Sequence, residues 1–463
     1  MTGKPNYARS IGIVFFFSLA GFILYYPIIG NTFLSDDYDS LYRICIEKRI
    51  LYREMLRPMI DVSFYFNYLV SGLSAKSFYI FNIIVHILNC LLLYRFCLRL
   101  KIFSQKDQPI FAFIAALLFL FYPFHNESIA WLSGRLSSMA CLFAFSALWL
   151  QENPSNKFCI LLSVFSFLAG LLCYESIIIL PVLIVMLNRS KFESFKKSII
   201  YSFIWVLPVF AYLMAKIILS GSLNTEYSSR LTNGDWLSKI LNAGKVSGRL
   251  FLPPSDQSWL FAILTALVVI ILILLHLYFF RKKSFSNISL TNYQVILVGL
   301  IGSLLAPVFF GISTHTSEGD RLLYFPSFFL CMMLAAWLLM LSKRPVFRIG
   351  LAALICTYFL WFLEQNNHNW VDASIAASSI IRAGRAEAGQ NTVFINVPDE
   401  IEGAFVFRHG FVKAGVINRL DTAHIKALNF LTRDNYLKLP DLIIPVIEDS
   451  VIKIAPLIHL VSG

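Results

Sequence analysis

Charged residues are scarce: Asp, Glu, Lys and Arg make up 14% of the 463 residues, where a soluble domain carries about 25%. That deficit excludes an ordinary soluble enzyme. It also excludes a disordered chain, which stays solvated through its charge. Acids are scarcer than bases, with 27 Asp and Glu against 39 Lys and Arg and a formal net charge of +12. The cations cluster between apolar runs, as in cytoplasmic loops of membrane proteins, so the excess is topological and indicates no nucleic-acid partner. The eight cysteines form no Cys-x-x-Cys and no Cys/His spacing, which leaves neither a zinc site nor a disulfide framework. No repeat of fixed period is visible, tetratricopeptide repeats included.

What abounds is apolar, at 57% of residues. A membrane span needs about 20 apolar residues. The candidate spans are Ile11–Ile29, Phe78–Leu98, Pro109–Tyr122, Ile129–Leu150, Phe158–Cys173, Ile177–Leu187, Ile199–Leu219, Leu260–Phe280, Tyr293–Ile312, Leu322–Leu341 and Phe347–Leu363, about eleven in all. The runs from Pro109 and Ile177 are short for a bilayer and would be sheltered by neighbouring helices. No small-residue cleavage site follows the first run, so an uncleaved helix is expected there.

Lys4 and Arg9; Arg95, Arg99, Lys101 and Lys106; Lys157; Arg189, Lys191, Lys196 and Lys197; Arg281, Lys282 and Lys283; and Lys343, Arg344 and Arg348 fall in alternate loops. The opposite short loops hold almost nothing basic except Arg321. A cytoplasmic N-terminus satisfies the whole pattern. An odd number of spans then puts the C-terminus outside a multi-pass inner (cell) membrane protein.

Two outer loops are long, residues 30–77 and 220–259. Residues 1–365 read as the membrane domain. Residues 366–463 have globular composition and read as a small extracytoplasmic C-terminal α/β domain, with a helix near Ala373–Ala388 and strands at Thr392–Val397, Ala404–Phe407, Leu442–Ile447 and Val451–Ile454. Its Asp399, Glu400, Glu402, Arg408 and His409 read first as a solvated surface, with a binding face as the alternative.

Charge beside a membrane is costly, so its placement carries information. Four outer places stand out. Ser35-Asp36-Asp37-Tyr38-Asp39 follows the first span; it reads as a capped helix start, or as a general base or metal ligand, because neighbouring carboxylates raise one another's pKa. Arg57-Pro58 opens Met59–Val70, an aromatic stretch suited to the headgroup layer. A short hairpin carries His125 and Glu127, with Arg135 beyond it. The fourth place, Thr314–Arg321, holds Glu318, Asp320 and Arg321, where Arg321 is either a snorkelling anchor or a phosphate ligand. Glu175 also sits at an outer span end, as a polar partner within the bundle. The centres of the spans are apolar apart from His86, Lys216 and His276. A carrier would place polar groups near the midplane, so the pattern favours a site at the outer interface.

The acidic pair after the first span, the N-in plan and the outer C-terminal domain resemble GT-C glycosyltransferases. Three stretches resemble the protein O-mannosyltransferase-like branch, which includes the transmembrane and tetratricopeptide-repeat O-mannosyltransferases. They are Arg57-Pro58 with Phe78–Tyr94, where Asn82, His86 and Asn89 share a helix face; Phe121–Arg135, with Pro-Phe-His-Asn-Glu leading to Gly134-Arg135; and Asp320–Ser327, Asp-Arg-Leu-Leu-Tyr-Phe-Pro-Ser. The likeness covers roughly residues 10–365. The repeats of the repeat-bearing members are not in this sequence, which leaves the acceptor open between a glycan, a lipid and a protein.

The resemblance implies a polyprenyl-phosphate sugar as donor and inversion at C1. It implies Asp37 or Asp36 as catalytic base, Arg57, Arg135 and Arg321 as phosphate ligands, and His125, Glu127 and Glu318 around the substrate. A divalent ion, Mg²⁺ or Mn²⁺, would suit oxygen ligands at Asp36 and Asp37, though the branch does not need one. The competing readings are a flippase or transporter of a lipid-linked glycan and a non-catalytic membrane assembly subunit. Alkaline phosphatase fused after Asp39 or Gly410 is expected to be active in intact bacterial cells, and fused after Lys106 or Arg348 inactive; the reverse pattern overturns the topology.

Overall fold

The computed structural model describes residues 7–51, 56–151, 156–189, 192, 194–220, 236–281, 288–341, 344–386, 392–395, 397–420, 425–428 and 451–454. Lys4, Lys191, Lys282, Lys283, Lys343 and the expected strand Leu442–Ile447 lie outside the described residues. Helices occupy the apolar runs because a backbone in lipid must bond to itself. Among the described residues six are long and apolar enough to cross a membrane: Ala75–Leu100, Phe195–Leu219, Ser258–Phe279, Leu290–Phe310, Asp320–Leu341 and Pro345–Arg385. Ser10–Leu24, Gln108–Phe121, Arg135–Leu150 and Lys157–Leu171 are shorter apolar helices. The protein is a helical membrane protein.

The helix Tyr324–Leu341 is almost wholly buried and packs against Gln108–Phe121, Arg135–Leu150 and Leu290–Ser303. Ser258–Arg281, by contrast, turns Ile, Leu and Tyr side chains outward along its length. The interfacial stretch is the helix Pro58–Ser71, started by Pro58 and stopped at Gly72, whose φ is +60°. Its Val62, Phe66, Leu69 and Val70 are exposed, while Asp61, Ser63 and Asn67 are buried.

The expected span Ile129–Leu150 is interrupted. Glu127–Ala130 makes one helical turn, the chain breaks at Trp131, and a new helix starts at Arg135. Gly134 makes the fold-back feasible: a Cβ there would lie 2.1 Å from the Glu127 carbonyl oxygen. Only glycine permits so close an approach.

The sequence-based border at 365/366 falls inside one helix, Pro345–Ala386, of 42 residues. No Gly or Pro occurs between Leu351 and Ala383, so nothing breaks it. At 1.5 Å per residue it is about 63 Å long and outreaches a bilayer core of about 30 Å. Asparagines fasten it where it leaves the apolar layer. Asn366 donates to Pro123 O at 2.9 Å, Asn126 to Asn367 Oδ1 at 3.0 Å, and Asn367 to Leu24 O at 3.0 Å.

Beyond the helix, Thr392–Ile395 lies between Ile425–Leu428 and Val451–Ile454 in a parallel sheet. Ile425–Leu428 was not expected from the sequence. The expected strand Ala404–Phe407 contracts to Ala404–Phe405, paired antiparallel with Glu400–Ile401. Glu402 and Gly403 turn this hairpin with φ of +49° and +86°, the positive values that a two-residue hairpin loop requires.

One ion pair is fully enclosed: Arg249 donates to both Asp320 oxygens at 2.6 and 2.7 Å. Removing one partner strands a buried charge, at about 3–5 kcal/mol. Arg249→Met is therefore expected to lower the melting temperature in detergent sharply, and Arg249→Met/Asp320→Leu to recover most of the loss.

Candidate active site

Asp37 stands in the first turn of the helix Asp36–Leu41 and is fully buried. Its Oδ2 accepts the Leu34 N–H at 3.1 Å. Its Oδ1 accepts both the Ser133 N–H at 2.9 Å and the Ser133 hydroxyl at 2.7 Å. Burial pushes the carboxyl up to about 7, although the Ser133 and Leu34 bonds pull it back down. A carboxyl poised there can accept a proton at physiological pH. Asp36 is half-buried and accepts the Ser35 hydroxyl at 3.2 Å.

Both Asp37 oxygens are already aimed at N–H or O–H donors. Among the described residues no cluster of three His, Cys, Asp or Glu side chains could hold a metal.

The hairpin that supplies Ser133 also organises the rest. Buried Glu127 accepts the Arg321 N–H on Oε2 at 2.8 Å and the Arg321 guanidinium on Oε1. Burial raises the Glu127 pKa, and the charge and hydrogen bonds of Arg321 oppose that rise. The Arg321 guanidinium lies 5.4 Å over the Trp131 ring. One short stretch, from Glu127 to Ser133, thus holds the acid at one end and the arginine at the other. Trp131 between them meets Phe405 edge-on at 4.8 Å and stacks on Trp370 at 6.5 Å.

The other expected residues sit around this core. His125 is buried beneath the hairpin, bonded through Nδ1 to the Ser327 hydroxyl at 2.9 Å and enclosed by Phe119, Tyr122, Tyr324 and His86. Burial, with His86 adding to it, pushes its imidazole well below the usual range. Arg135 is fully buried. It donates to Asn67 Oδ1 at 2.7 Å, Ser63 Oγ at 3.3 Å and Phe78 O at 3.2 Å, between the faces of Phe64 and Phe81. Arg57 is tied to Glu175 at 3.9 Å and to the face of Tyr174 at 4.9 Å. Glu318 pairs with Arg408 at 2.6 Å.

Sequence reasoning missed Ser133, Trp131 and the tail. Trp-Leu-Ser-Gly reads as ordinary span sequence, and only Gly134 hinted at a break. Residues 397–420, read first as a solvated surface, lie on the acidic loop. Ser35 N–H donates to Val406 O at 2.9 Å, and His409 N–H to Ser35 Oγ at 3.2 Å.

No family model matches the chain, and no solved structure matches it. It is 32% identical over 125 residues to protein O-mannosyl-transferase TMTC3 of Mus musculus, a match covering 26% of this chain and 13% of that protein. It is 31% identical over 103 residues to TMTC1 of Mus musculus, covering 22% and 10%. A third relative, protein O-mannosyl-transferase F38B6.6 of Caenorhabditis elegans, is 30% identical over 104 residues, covering 22% and 15%. The chain is a distant relative of the protein O-mannosyl-transferases. The matched segment spans well under a fifth of the length of each of these relatives.

The folded carboxyl of Asp37, near pH 7, lies above the unfolded value of about 3.9. The native state therefore holds an extra proton between these limits. Asp37 lowers stability as pH rises through that window, and proton-accepting capacity grows over the same range. Infrared titration is expected to show a carboxylic C=O band fading with a midpoint near pH 7 and missing in Asp37→Asn. Ser133→Ala removes the hydroxyl bond to the ionised form, keeps the backbone one, and should move the midpoint to higher pH; a shift to lower pH counts against this account.

Proposed function

We propose that the protein is a membrane glycosyltransferase that moves a sugar from a polyprenyl-phosphate donor to an acceptor hydroxyl on a glycan, lipid or protein. Transfer takes place at the outer face of the cell membrane, with inversion at C1. About eleven crossings with a cytoplasmic N-terminus put the Asp36–Asp37 loop and residues 397–420 on that face. The observation that carries the reading is the grip of one hairpin on both a proton acceptor and a cation. The names of the distant relatives support the same class of chemistry.

In this mechanism the acceptor oxygen attacks C1 as its proton passes to the Asp37 carboxylate. The C1–O bond to phosphate breaks and its electron pair leaves with the polyprenyl phosphate. Arg321, oriented by Glu127, meets the growing negative charge on the phosphate, where a fixed donor lowers the barrier most. Arg57, just before the helix Pro58–Ser71, adds positive charge for the donor phosphate. Arg135 donates to protein oxygens through both Nη atoms and serves Asp37 through charge. His125 and Glu127 shape the site from beneath, Glu318 borders its open side, and Asp36 holds the acceptor.

Purified protein supplied with polyprenyl-phosphate sugars and candidate acceptors tests the reading. Asp37→Asn is expected to lower kcat by about 10²–10⁴, the usual worth of a general base. Arg321→Gln should cost about 10²–10³. Full turnover in Asp37→Asn, or donor crossing vesicles with no bond broken, overturns the proposal.

A further inference from the structure

Residues 397–420 are anchored on both sides of the site. On the acid side, Tyr38 stacks on Phe407 at 6.0 Å, and Gly410, with φ of +78°, lies so close to the Ser35 carbonyl that a Cβ would be 2.5 Å from its oxygen. On the other side, a Cβ at Gly403 would lie 2.3 Å from the backbone nitrogen of Ser317, in the loop that leads to Arg321. Between these anchors the Arg408 guanidinium sits 5.5 Å over the Phe405 ring. Phe405 touches Trp131, and Trp131 lies under Arg321. Two arginines, Arg321 and Arg408, thus flank one aromatic pair.

Charge gives the second argument. Glu127 matches Arg321 and Glu318 matches Arg408, while Asp36, Asp37, Asp39 and Glu400 add further acidic groups nearby. The donor's phosphodiester enters with one negative charge and leaves as a phosphate dianion, so a further cation is needed there, and Arg408 feels the charge of Glu318, Glu400 and Asp36. The Arg408–Glu318 pair is about 40% exposed on each side. A pair so open to water is held weakly, whereas a phosphate can take two parallel N–H bonds from one guanidinium.

We propose that Arg408 is a second phosphate-binding residue for the lipid-linked donor, held by Glu318 until the phosphate displaces that carboxylate. This rests on the glycosyltransferase reading and adds a residue to its site. Residues 397–420 then form part of the donor site, and their docking on Ser35 positions the arginine.

Farnesyl phosphate, with neutral farnesol as control, can be titrated against the full-length protein in detergent and followed by tryptophan fluorescence. Wild type is expected to prefer the phosphate at least tenfold. Arg408→Gln should weaken farnesyl phosphate about tenfold and leave farnesol unchanged, with Arg408→Lys between. Glu318→Gln should tighten the phosphate several-fold, a gain that misfolding cannot imitate. Unchanged phosphate affinity in Arg408→Gln overturns the proposal and leaves the glycosyltransferase reading standing. Equal weakening in Glu318→Gln does the same, by making the pair a structural clamp. A wild type that fails to distinguish the two ligands overturns both.

Discussion

A carboxylate taken out of water beside lipid must be met by donors or it will hold its proton. The polar layer at one end of the apolar helices is organised around that requirement. Asp37 meets it with Ser133 and Leu34, Glu127 with Arg321, Asp320 with Arg249, and Asp61 with Arg43. The four solutions differ. Three acids have an arginine as direct partner. Asp37 has only neutral donors, and burial pushes its carboxyl up to about 7.

The arginine-matched acids lock loops together and gain directional bonds. Asp37 keeps a proton equilibrium near neutrality because burial outweighs its hydrogen bonds to Ser133 and Leu34. The hairpin Glu127–Ser133 makes both arrangements at once, and the break at Trp131 turns its carboxylate and its serine toward different partners. The buried helix Tyr324–Leu341 beneath supplies Ser327 and Tyr324 to His125, so the hairpin rests on a packed floor.

The long helix Pro345–Ala386 links the apolar layer to the outer residues. Its asparagines bond to backbone oxygens at Pro123 and Leu24, which fixes where the helix leaves the bundle. Trp370, farther along, stacks on Trp131. This placement brings residues 397–420 back over Ser35, more than 360 positions earlier in the chain.

Much of this was legible in the residues themselves. Long apolar runs state that helices will fill them, since lipid offers a backbone no other partners. Lone charges at the ends of those runs mark the outer layer, and Asp36, Asp37, Glu127 and Arg321 stood out on that ground. Local pattern could not reveal which acid is held by serine and which by arginine, because Ser133 lies in an apolar run and is 96 positions from Asp37. Nor could it show that Arg408 returns to Glu318 across 90 positions. Solvation of single residues is written in the order of the chain, whereas the pairing of distant charges depends on how helices pack, and only the folded bundle decides that.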